Sequence, residues 1–148
     1  MRALTIRQPW AAAITHADKR VENRTWGTRY RGPLLIHAAK TVNTSALRHD
    51  PLAAVVRGLQ LDLGAVVAVA QVVDCHEPDG ECTPWSMTGQ HHLVLDDVTA
   101  LAEPVPWTGA LGLWVPPPGL LERVRVQLTV AAARLLEVQA PDGQEGAR

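Results

Sequence analysis

Lys19, Glu22 and Arg24 stand within a few residues of one another, with Trp26 just beyond and Gln8 and Trp10 a short way upstream. The flanking segments read as core. A charge cluster set in apolar structure is costly to keep dry, so these side chains are expected to line a cleft. An arginine offers a planar fork to a phosphate or a base edge, and a neighbouring carboxylate fixes that fork or accepts from an exocyclic amino group. Tryptophans at the same place supply stacking faces for a nucleobase. The chemistry indicated is the grip of a splayed-out nucleotide. A lysine acts as a base only where burial or a neighbouring cation lowers its pKa. Arg24 would push Lys19 that way and Glu22 would hold it protonated.

Further groups are drawn to this cleft by position. Arg29 and Arg31 flank Tyr30 in a turn and read as a phosphate-contacting rim. Trp85 is a third candidate platform. His91 and His92 alternate sides of a strand, so at most one of them, assigned as His91, faces the ligand. His37, inside the apolar run LLIHAA, reads as a core histidine, and Trp107 and Trp114 as packing residues. The loop acids Asp74, Glu77, Asp79 and Glu81 are the reserve of carboxylates should catalysis need one.

These residues must be positioned by an alternation of short strands and helices. Arg2 to Arg7 reads as a strand, and Pro9 opens a helix through Ala11 to His16. Arg20 to Trp26 reads as a strand with Arg20, Glu22, Arg24 and Trp26 on one face and Val21, Asn23 and Thr25 on the other. Gly32-Pro33 turns into the strand Leu34 to Ala38. Thr44 or Ser45 caps a helix to about Arg57, ended by Gly58. Gly64 to Val73 is the longest apolar run and the expected central strand, followed by a long polar loop from His76 to Gln90. His92 to Leu101 and Leu111 to Val115 are the last strands, and the sheet is small and mixed. After Pro116-Pro117-Pro118, Leu121, Val124, Leu128, Ala132 and Leu135 recur at helical spacing.

The 148 residues suffice for one core, with 47% hydrophobic and 20% charged residues as in ordinary globular chains. No apolar run approaches the roughly 20 residues of a membrane span, and MRALTIRQPW lacks the apolar stretch of a secretory signal. A cytoplasmic location without membrane contact is expected. Cys75 and Cys82, the only cysteines, are expected as reduced thiols. Their spacing lacks the close ligand pairs of zinc modules, so no metal is expected. The net charge of −1 conceals an asymmetry: eight cations against Asp18 and Glu22 give the first 40 residues +6 and leave −7 for the rest. Local potential of this kind steers a polyanion even to a slightly acidic protein.

LTIRQPWA, KRVENRTW, RGPLLIHAAK and the late GALGLW together resemble the ASCH domain family, the activating-signal-cointegrator homology domains related to the PUA fold. The resemblance spans about Ala3 to Val115. The family pattern G-x-K-x-x-E-x-R is met by Ala17-Asp18-Lys19-Arg20-Val21-Glu22-Asn23-Arg24, with alanine in place of the glycine and every charged position kept. It implies an α+β fold: a PUA-like small mixed β-barrel flanked by helices, here with an extra carboxy-terminal helix. The expected organisation is a domain over 1–116, that helix over 117–138 packed on or extending it, and a flexible tail over 139–148.

The resemblance also implies the ligand class. Its members include nucleic-acid binders, a ribonuclease-type activity and small amidohydrolases acting on N4-acetylcytidine. In the amidohydrolases the lysine of the pattern works with a threonine three residues later and a distant glutamate, but here the threonine position holds Glu22. The leading expectation is therefore binding of RNA, single-stranded nucleic acid or a nucleotide-sized ligand, without a cofactor. A hydrolase using Lys19 and a carboxylate such as Glu22, either an N4-acetylcytidine-type amidohydrolase or a metal-independent ribonuclease, is the second. A third is an interaction protein whose carboxy-terminal helix pairs with a second copy, as a homodimer, or with another chain.

Overall fold

A computed structural model of the chain describes residues 1–48, 50–78, 80 and 82–139. Six strands form one sheet: β1 Arg2–Gln8, β2 Val21–Arg24, β3 Gly32–Val42, β4 Ala65–His76, β5 His91–Pro106 and β6 Leu113–Trp114. Their spatial order is β2-β5-β4-β3-β1-β6, parallel between β1 and β3 and antiparallel elsewhere. The register of β4 against β5 slips at three places, and that of β3 against β4 at one. Such bulges bend paired strands, and here they curl the sheet into a half-barrel. The fold is the expected α+β, PUA-like one.

The two faces of the curled sheet bury different clusters. Leu4, Ile6, Leu34, Ile36, Ala70, Leu93 and Leu95 fill the concave side with Ile14 of helix α1, Trp10–His16. Ala3, Leu35, Val66, Leu101 and Val105 form the convex side, covered by Leu120 and Val124 of helix α3, Pro118–Gln139. This alternation, Leu34 and Ile36 inward against Leu35 outward, follows from the period-two geometry of a strand covered on both faces. A third cluster joins Ala12 and Ala13 of α1 to Leu52 and Val56 of helix α2, Asp50–Val56. No helix among the described residues is long and apolar enough to cross a membrane.

Several sequence expectations are corrected. The helix placed from Thr44 or Ser45 to Arg57 is a short 3-10 turn, Ala46–Arg48, followed by α2. Asn43 caps that turn, its Oδ1 accepting from the Ala46 amide at 3.1 Å, and Pro51, lacking an amide hydrogen, suits only the first turn of a new helix. Strand β2 is shorter than Arg20 to Trp26, because only Val21 to Arg24 pair with β5. Arg20 turns back instead, donating from Nη1 to the carbonyls of Ile14, Ala17 and Lys19, each at 3.1 Å. It caps the end of α1, where a cation meets the helix dipole. Strand β5 runs on through Pro104 to Pro106, the bulge opposite Val66 and Ala68 leaving Pro104 outside the ladder. Of the tail expected at 139–148, all but Gln139 lies outside the described residues.

His37 is buried, as expected of a core histidine. Its Nε2 meets the Trp107 carbonyl at 2.6 Å, and its ring stands edge-on to Trp114. Burial pushes its pKa below the usual histidine range, against the pull of that carbonyl. This pairing pins the segment after β5 against the sheet, and Gly109 completes the contact. A methyl group there would come within 2.4 Å of Thr5 Oγ1 and 2.8 Å of the His37 ring. Gly109→Ala is accordingly expected to cost about 1 to 3 kcal/mol as an overpacked contact, read by urea unfolding. Unaltered stability would show that residues 107–112 do not seat on Thr5 and His37.

Candidate functional site

The half-barrel has an open seam between its β2 edge and β1, and one side chain spans it. Arg24 on β2 donates from Nη2 to the Thr5 carbonyl on β1 at 3.0 Å. Along that seam lies a cleft of about 670 Å³, with Arg7, Trp10, Glu22, Arg24 and Trp26 among its walls. Its rim is made by two loops, one bringing Met87 and Gln90 and the other Ala110, Leu111 and Gly112.

Glu22 is the pivot of the charges. Only 7% exposed, it receives the Asn23 amide on Oε1 at 3.0 Å and the Lys19 ammonium on the same oxygen at 3.4 Å. Its Oε2 stands 3.6 Å from Arg24 Nη2. The carboxylate thus stands between two cations, with Oε2 the less occupied oxygen. Arg24 is a quarter exposed, and its Nε is buried without a hydrogen-bond partner among the described residues.

Lys19 is not a wall of this cleft. It is 1% exposed, and its Nζ donates to the Val21 carbonyl as well as to Glu22. Burial pushes its pKa below the usual lysine range, opposed by Glu22 and reinforced more weakly by Arg24. The grouping of Lys19 with ligand-facing residues is corrected to a place behind Glu22, because the amine finds its acceptors inward. Gln8 likewise turns away from the cleft: Oε1 accepts from the Ala12 amide and Nε2 donates to the Asp62 carbonyl, both at 2.9 Å. It ties the first turn of α1 and the loop before β4 to β1.

The other candidates divide. Trp10 and Trp26 are half-buried, packing on the concave core while facing the cleft. Trp85 packs instead beside the α1–α2 cluster, its carbonyl accepting from Asn23 Nδ2 at 2.9 Å and its amide donating to Thr83 Oγ1 at 3.1 Å. Arg29 and His91 line a smaller recess of about 260 Å³ with Gly27, Thr28, Cys75 and Glu77. The His91 ring packs on Gly27, where a Cβ would come within 2.7 Å of it. Arg31 closes its own turn through the carbonyls of Thr28 and Tyr30 and pairs with Asp74 at 3.4 Å. Asp74 therefore serves Arg31 and His76, Glu77 belongs to the smaller recess, and Asp79 and Glu81 lie outside the described residues.

Sequence reasoning missed Arg7, Met87, Gln90 and Leu111. Arg7 had a signal, since it follows Thr5 on the face of β1 opposite Leu4 and Ile6. The loop residues had none, because no period governs them. Asn23, read as facing away from Glu22, does so and organises one of these loops: its Oδ1 accepts from the Met87 amide at 2.7 Å. Among curated proteins, none matches this chain. The ASCH domain model matches residues 4–118, covering the half-barrel, the cleft and its loops and stopping at the start of α3.

Proposed function

This chain belongs to the ASCH domain family, and from that premise we propose that the cleft binds RNA or a modified nucleotide presented as a single strand. The observation that carries the reading is Glu22 clamped between Lys19 and Arg24, in a cleft that two half-buried tryptophans line. A carboxylate so fixed accepts from an exocyclic amino group, as a glutamate does from cytosine N4. Trp10 and Trp26 offer faces on which a base stacks, and Arg7 and Arg24 supply donors for phosphate. The 670 Å³ of the cleft falls in the range of about 300 to 1,000 Å³ usual for small-ligand sites.

Burial lowers the Lys19 pKa, as a base requires, but the position of the amine speaks against a hydrolase. The Lys19 amine that would activate a nucleophile is sealed from the cleft and turned to Val21 and Glu22. The test is fluorescence anisotropy with short labelled single-stranded RNA at rising salt, alongside incubation with N4-acetylcytidine. Binding is expected, with log affinity falling about 0.7 per released phosphate counterion against log salt. Absence of binding to both RNA and nucleoside would overturn the reading, and release of cytidine would replace it with the hydrolase.

A further inference from the structure

Away from the cleft charges, Cys82 Sγ stands 3.5 Å from His92 Nδ1. The other ring nitrogen, Nε2, lies 2.8 Å from the Met87 carbonyl. A carbonyl oxygen only accepts, so Nε2 carries the hydrogen, and in the neutral ring Nδ1 is then a bare lone pair. That lone pair faces the thiol, so the S–H donates to it. Cys82 is exposed whereas His92 is 1% exposed. The sulfur thus lies at the surface with its base beneath it, the arrangement of an activated nucleophile whose base is oriented by a third group.

The surrounding loop holds this geometry. The amides of Cys82 and Thr83 both donate to Ser86 Oγ, at 2.9 and 3.2 Å, and Ser86 Oγ donates to the Thr83 carbonyl at 2.6 Å. Met87, whose carbonyl orients His92, is itself tied to Asn23 on β2. With both ring hydrogens partnered, by Met87 and by the sulfur, an imidazolium formed at His92 leaves no buried donor unpaired.

We propose that Cys82 is a nucleophilic thiol, with His92 as its base, that takes small-molecule disulfides in thiol–disulfide exchange. The Cys82 proton passes to His92 Nδ1, and the thiolate attacks one sulfur of R–S–S–R. The Cys82–S bond forms as the S–S bond breaks, and the departing R–S⁻ takes the proton from Nδ1 and leaves as R–SH. Cys82 is oxidised to the mixed disulfide and the leaving sulfur is reduced. An external disulfide is the partner because Cys75 pairs across the ladder with Leu93, which alternates with His92 to the opposite face of β5. No internal cysteine stands ready to resolve the product.

The probe is 5,5′-dithiobis(2-nitrobenzoate), followed by the thionitrobenzoate released. In the Cys75→Ser protein, Cys82 is expected to react at least about ten-fold faster than glutathione under the same conditions, since His92 Nδ1 stands within hydrogen-bond reach to take the thiol proton. Cys82→Ser should abolish the fast phase, and His92→Gln should slow it to the glutathione rate. Reaction of Cys82 no faster than glutathione would overturn the proposal, as would a fast phase surviving Cys82→Ser or undiminished in folded His92→Gln. If His92→Gln fails to fold, the comparison of the Cys75→Ser protein with glutathione decides.

Discussion

Glu22→Gln lowers the stability of the domain by about 3 kcal/mol, the cost of removing one partner from a buried ion pair. Glutamine keeps the shape and an acceptor for the Asn23 amide, so the loss is electrostatic. Lys19, at 1% exposure, is left without its counter-charge, and Arg24 adds repulsion from the other side. Burial already lowers the Lys19 pKa, and without Glu22 the lowering is larger. A lysine whose folded pKa lies below its unfolded one binds more protons unfolded than folded, so stability rises with pH until the unfolded pKa is passed. The deficit of Glu22→Gln is therefore expected to be smaller when measured at about pH 9.5 than at about pH 7, both lying below the unfolded lysine pKa. Lys19→Met in the same background should recover part of the loss at neutral pH, because a well-packed apolar chain replaces an unpaired charge. Urea unfolding of the three proteins at the two pH values measures this. A Glu22→Gln protein as stable as the parent would show that water reaches the pair and screens it.

That burial of Lys19 is the part of the site least legible in the sequence. The charged positions and their neighbours could be named, but a sequence states no depth, and a lysine between an aspartate and an arginine carries no mark of being sealed. Arg20 illustrates the same limit in another form. Period two placed it beside Glu22 and Arg24, yet the strand begins one residue later, and the free carbonyls at the end of α1 decide where its guanidinium goes. Strand interiors were more legible: in Leu34 to Ala38 and the run from Ala65 to Val73 every buried position but His37 is apolar. Their ends were not. Proline within 104–106 argued against a strand, and the bulge that removes Pro104 from the ladder depends on a partner strand far away in the chain. Trp85 and Leu111 were misjudged or missed because the loops that carry them are set by single contacts, such as Asn23 with Met87 and Gly109 with His37, that no local pattern announces.

Arg24→Ala is expected to weaken single-stranded RNA binding about 10- to 100-fold, corresponding to the loss of a charge-assisted fork worth about 1 to 3 kcal/mol. Arg24 does two things at once. It faces the cleft while orienting Glu22, and it bridges the seam to Thr5. The two roles separate through salt and substitution. Loss of a phosphate contact reduces the salt slope by about 0.7, whereas loss of the bridge alone lowers stability and leaves the slope in place. Arg24→Lys keeps the charge but not the planar fork, so it should preserve most of the slope while recovering little of the affinity. Lys19→Met offers the contrast that the burial of Lys19 makes available: its influence passes through the orientation of Glu22, so affinity falls without any change in slope. Full affinity in Arg24→Ala would remove the cleft as the RNA site. A slope reduced equally by Lys19→Met and Arg24→Ala would mean that Lys19 reaches the ligand, and that the wall Glu22 forms between them opens when RNA is bound.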